Sequence, residues 1–88
     1  MSYWQVLAIG EGFDRQGKLQ GFELTGSISA ENANAAYIKA IALAERDYPE
    51  LRQAYSPNSP QAFINPEEIQ ELKELPVGNI DTVEMHWL

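Results

Sequence analysis

His86 is the single histidine of the chain, and Glu84 stands two residues before it. In an extended segment residues two apart share a face, so the two side chains would sit together as an imidazole–carboxylate pair. Such a pair can pass a proton or contribute two ligands to a metal. Two ligands do not hold a metal securely, and there is no second histidine and no cysteine to complete a set. No metal or cofactor is therefore expected, and the pair is expected on the solvated face of a strand, where it is open to a partner.

Other residue types that could do chemistry fail on context. Gly10-Glu11-Gly12 begins like a phosphate-cradling loop, but Arg15 occupies the place of a third glycine and a second strand, not a helix, is expected to follow. The hydroxyl residues show no Gly-x-Ser-x-Gly elbow, and a serine nucleophile would have His86 as its only available base. The absence of a catalytic constellation points away from an enzyme. Phe13 follows the two glycines, and an aromatic at a hairpin tip either folds back onto the sheet or serves as a contact residue.

The most distinctive cluster is Glu67, Glu68, Glu71 and Glu74, offset only by Lys73. On a helix, Glu67, Glu71 and Glu74 would fall within about 60° of one another, opposite Ile69 and Leu72. Like charges at that spacing cost a few tenths of a kcal/mol per pair. A face of this kind is either plain solvated surface or the complement of a basic protein partner. The candidate partner-binding residues are thus Glu67, Glu71, Glu74, Glu84, His86 and Phe13.

The elements that must carry these residues follow from periodicity and punctuation. Tyr3–Ile9 is aromatic and branched, hence a strand. Gly10–Lys18 reads as a long glycine-rich tip, with Asp14-Arg15-Gln16-Gly17 as a type I turn. In residues 19–28, Phe22, Leu24, Gly26 and Ile28 alternate with Glu23, Thr25 and Ser27, predicting a half-buried partner strand. Ser29 is the expected N-cap of a helix whose stripe is Ala33, Ala36, Tyr37, Ala40, Ile41, Ala44 and Tyr48, ended by Pro49. Pro49–Tyr55 suggests a further helical turn and Ser56–Pro60 a loop; whether residues 61–64 form a strand stays open. Asn65-Pro66-Glu67-Glu68 has the form of a capped helix start, predicting a second helix over 66–75 that stops at Pro76. Val83, Met85 and Trp87 then alternate with Thr82, Glu84 and His86 in a final strand. Trp4 and Trp87, in the first and last strands, are expected core anchors that would lie near one another if those strands pair, or marks of a dimer or partner interface if either faces outward.

The expected fold is a single α+β domain over residues 1–88. It is a two-layer sandwich in which a mainly antiparallel sheet of three or four strands carries two helices on one face, in the order β-β-α-β-α-β with the third strand uncertain. In size, acidity and element order the chain resembles small bacterial domains of uncharacterised function, and immunity proteins and other small nuclease inhibitors; no site residue comes with that resemblance.

Charge bounds the partners. Thirteen acidic and six basic residues among 88 give a formal charge of −7, which disfavours nucleic acid and anionic lipid. The imbalance is local: residues 1–60 hold seven acids and five bases, residues 61–88 six acids and one base. No basic residue precedes Arg15 and no apolar run approaches the roughly 20 residues of a membrane span, so a cytoplasmic location is expected. The leading expectation is a non-enzymatic interaction or regulatory module for a basic protein, using the 66–75 helix and the final strand, with a homodimer through an open sheet edge as an added possibility. The alternative is a small-molecule binder or minor enzyme with a cleft between the 10–18 and 56–60 segments.

Overall fold

Tyr3-Trp4-Gln5-Val6-Leu7-Ala8-Ile9 carries apolar side chains on both faces, and it becomes the inside of a sheet. The structure, a computed structural model, describes residues 2–15, 17–51, 62–75 and 78–88. Strand β1 (Ser2–Arg15) pairs antiparallel with β2 (Lys18–Ala30) on one side and with β3 (Phe63–Leu72) on the other. Strand β4 (Thr82–Trp87) pairs antiparallel with β2, giving a four-stranded sheet in the order β3-β1-β2-β4. Helix α1 (Ala33–Asp47) lies between β2 and β3 in the chain. Because β2 and β3 both run antiparallel to β1, they are parallel to each other, and α1 is the crossover between them.

The side of the sheet under α1 is the core. Val6, Ala8, Phe13, Phe22, Leu24, Ile28, Val83 and Met85 are buried there against Ala36, Ala40 and Ala44. The alanine stripe allows the helix a close approach, and Tyr37, Ile41 and Tyr48 pack along its margins. Tyr37 also donates its hydroxyl to the Ile64 carbonyl at 3.0 Å, tying α1 to β3; burial pushes that phenol above its ordinary pKa. The helix ends where the proline predicts, with the Tyr48 N–H closing on the Ala44 carbonyl at 2.8 Å. Leu51 is buried just beyond, its N–H bonded to the Tyr48 carbonyl.

Several expectations are corrected. The segment 66–75 is not a helix: residues through Leu72 belong to β3, so the element order is β-β-α-β-β and one helix, not two, packs on the sheet among the described residues. The local capping pattern loses because Ile69 and Leu72 are too few to make a buried helical stripe, whereas an extended chain completes the open edge of β1. Pro66 is accommodated at an edge strand, beside a register shift that leaves Glu67 as an extra residue between the pairs Leu7↔Glu68 and Ala8↔Pro66. The uncertain strand at 61–64 is the beginning of this longer one; Gln61 lies outside the described residues.

Ser29 does not cap the helix. Asn32 does, its side-chain oxygen accepting the Ala35 N–H at 2.8 Å, while Ser29 belongs to β2. The long tip of the first hairpin is also absent, since β1 runs to Arg15, which pairs with Lys18, and Gly17 before that lysine sits at φ +82°. Trp4 and Trp87 are both partly buried against the core, but β2 separates their strands. Trp4 lies beside Ile28 and Trp87 beside Phe22, six residues apart on β2, or about 20 Å.

The link from β3 to β4 has to pass the end of the sheet from one edge to the other, and a polar cluster receives it. Asp81, at φ +59°, accepts the Ser29 N–H at 2.8 Å and the Ser29 hydroxyl at 2.9 Å, and pairs with the Lys39 ammonium at 3.1 Å. Lys39 also donates to the Ser29 carbonyl at 3.0 Å. One carboxylate thereby joins β2, α1 and the start of β4.

Candidate interaction surface

Helix α1 covers one side of the sheet, and among the described residues no element covers the other. Cross-strand registers place Tyr3, Gln5, Leu7 and Ile9 of β1 on that open side, next to Glu23, Thr25 and Ser27 of β2. Asn65, Glu68 and Gln70 of β3 and Thr82, Glu84 and His86 of β4 extend it outward. The four β1 residues are only half-buried. Among these positions the charged groups are Glu23, Glu68 and Glu84, with His86 the one basic side chain. The surface thus combines a half-exposed apolar strip with carboxylates on the flanking strands.

The geometry within this surface is polar and open. The Ser27 hydroxyl donates to the Gln5 side-chain oxygen at 3.3 Å. Beside it a depression of about 260 Å³ is lined by Gln5, Thr25, Ser27, Asn79, Thr82 and Glu84. His86 Nε2 stands 3.9 Å from Glu84 Oε2, with side-chain exposures of 69% and 78%. The expected pair therefore exists, on a solvated strand face, at the outer limit of an ion pair.

The acidic cluster is redistributed by the change from helix to strand. Glu67, Glu68, Glu71 and Glu74 are all exposed, but they no longer form one stripe. Glu68 belongs to the open face, Glu67 to the register shift, and Glu71 lies opposite Trp4, a residue packed against the core on the helix side. Glu71 and Glu74 meet again in an open groove of about 560 Å³ at the end of β1 and β3, shared with Tyr3, Leu72 and Lys73. What the structure brings together is a run of carboxylates along an edge strand, about 13 Å from Glu67 to Glu71.

Phe13 is removed from the candidate contacts. It is fully buried, and its ring meets that of Phe22 edge-on at 5.0 Å between centroids, while Phe22 meets Trp87 at 5.7 Å. The two glycines before it have structural uses. Gly10 lies opposite Phe22, and a Cβ there would overlap the Phe22 ring; Gly12 holds φ +75° where the β1–β2 register shifts. The alternative cleft between 10–18 and 56–60 loses one wall, because residues 10–15 are strand, and its other wall lies outside the described residues.

Tyr3, Leu7 and Ile9 are not among the surface residues expected from the sequence, although their pattern carries a signal. A strand with one wet face alternates, whereas Tyr3–Ile9 is apolar on both parities, so apolar side chains stand on the uncovered face as well as on the core face. Among the described residues no group of three or more His, Asp or Glu side chains is placed to hold a metal, and no helix is long and apolar enough to cross a membrane. No family model, no curated protein and no solved structure matches the chain.

Proposed function

We propose that the domain is a non-enzymatic protein-binding module that uses its uncovered sheet face and the acidic edge strand β3 to hold a basic protein. The observation that carries this is the half-exposed strip Tyr3, Gln5, Leu7 and Ile9 flanked by Glu23, Glu68 and Glu84. Apolar area at the centre and charge at the rim is the usual division of labour in an interface, the first giving affinity and the second steering and selectivity. Glu67, Glu71 and Glu74 extend the negative rim past the end of β3, where a partner bearing lysine or arginine finds carboxylates without paying for buried ones.

The test is affinity capture from the lysate of the source organism at low and high salt, with the wild-type domain and with Glu68→Lys/Glu71→Lys/Glu74→Lys. These side chains are exposed, so the triple variant is expected to keep the wild-type circular dichroism spectrum. A basic protein retained by wild type, and lost both at high salt and with the variant, is the expected outcome. Retention that ignores salt and charge reversal, or no retained protein, contradicts the proposal.

A further inference from the structure

Among the described residues the sheet ends in two strands that pair on one side only, β3 and β4, and these edges differ in how they treat a second copy of the chain. At the β3 edge, Pro66 lacks an N–H, the register shift breaks the ladder, and Glu67, Glu68 and Glu71 would confront one another in any self-pairing centred near Ile69. Prolines, bulges and charges of one sign are the devices that keep an edge from pairing with itself. The β4 edge has none of them: Thr82–Trp87 contains no proline, no glycine and no lysine or arginine, and β4 ends the sheet order.

We infer that β4 is a self-association edge, pairing antiparallel with β4 of a second copy about a two-fold axis at Met85 to make a continuous eight-stranded sheet. The direction of the backbone groups supports it. Leu88 donates its N–H inward to the Gly21 carbonyl at 2.9 Å. Alternation along an antiparallel strand then turns the N–H and C=O groups of residues 82, 84 and 86 toward β2, and those of Val83 and Met85 to the side away from β2. With the axis at Met85, Met85 faces Met85 of the second copy in a hydrogen-bonded pair and Val83 faces its Trp87.

The side chains select this register. Continuity of the two faces requires residues of like parity to stand opposite each other, which leaves three central registers. An axis at Glu84 sets Glu84 against its own copy, and an axis at His86 sets His86 against its own copy. Only the axis at Met85 sets each Glu84 opposite His86 of the other chain, twice over. These two pairs occupy non-hydrogen-bonded positions, where opposing Cα atoms are closest, about 4.5 Å, so the acid and imidazole are well placed to bond across the axis. Glu23, which faces His86 from β2, adds a further carboxylate to the same imidazole. The β3 edges remain outermost, so self-association leaves the proposed partner strand open.

Sedimentation equilibrium over a wide concentration range tests this, with wild type, His86→Glu, Glu84→His and the double exchange Glu84→His/His86→Glu. Both side chains are exposed, so none of the variants should disturb the monomer. The average mass of wild type is expected to rise from 9.9 kDa toward twice that value. His86→Glu, which sets glutamate against glutamate, should raise the dissociation constant at least tenfold, Glu84→His should weaken pairing, and the double exchange should restore it. In a mixed-label sample, an interchain Hα–Hα nuclear Overhauser effect between Glu84 and His86 should mark the register. A wild type that stays monomeric at millimolar concentration, single variants that associate as wild type does, or an interchain contact elsewhere would overturn the inference.

Discussion

Asp81 shows how one side chain can set a chain's course. Burial alone would raise its carboxyl pKa, but the N–H and hydroxyl of Ser29 and the Lys39 ammonium outweigh that and hold it below the ordinary carboxylate value. A lowered pKa in the folded state means that the contribution to stability is present above the ordinary carboxylate range and is lost as pH falls through the lowered value. Asn at this position keeps a side chain tolerant of positive φ but loses the charge. Asp81→Asn is therefore expected to cost about 1 kcal/mol near neutral pH, a modest figure because the pair with Lys39 is partly solvated. Denaturant midpoints measured from pH 7 down to pH 2 should show the difference from wild type shrinking to nothing at the acid end. A difference constant across that range would mean that Asp81 acts through its shape and not its charge.

Strand β3 is the element on which the sequence and the structure part. Its capping signature, Asn65-Pro66-Glu67-Glu68, is local, while the reason it is extended is not: β2 pairs only one edge of β1, and residues 63–72 supply the backbone partners of the other. Nothing within residues 63–72 announces that role. By contrast α1 is legible in the sequence, because six apolar positions at helical spacing lie inside it and Tyr48 and Pro49 follow directly at its end. Its cap is Asn32 and not the expected Ser29, because Ser29 answers to Asp81, 52 residues away. The β1–β2 hairpin was legible from alternation, but its tip was drawn too long, since the glycines that suggested a loop make room for the Phe22 ring and form a register shift instead. The same distance effect governed the site: the Glu84–His86 pair, local in sequence, was found, whereas the open face, assembled from four strands, was not. Hydrogen exchange followed by NMR distinguishes strand from helix here. Within 63–72, every second amide should be protected by β1 and the intervening ones should exchange freely; uniform protection over 66–75 would restore the helix.

At the scale of the molecule, a sheet with one clothed face divides the labour. The helix side holds the packed alanines and the Phe13–Phe22–Trp87 cluster, and every fully buried large side chain but Leu51 belongs to the strands that face it. The open side can then carry carboxylates and a strip of half-exposed apolar residues at little cost to folding. Of the formal charge of −7, five units belong to residues 61–88, which supply the edge strand β3, the link after it and β4. Three of the six acids in that stretch stand on β3, two in the link and one on β4, so the two margins differ in composition: β3 carries carboxylates and a proline, and β4 an acid beside an imidazole. The most direct measurement of the central proposal is a ¹⁵N amide map titrated with a decalysine peptide at low ionic strength. Shifts should concentrate in residues 3–9, 23–27, 65–72 and 82–86, vanish at high salt, and be lost in Glu68→Lys/Glu71→Lys/Glu74→Lys; shifts centred on Ala33–Asp47, or none at all, would contradict it.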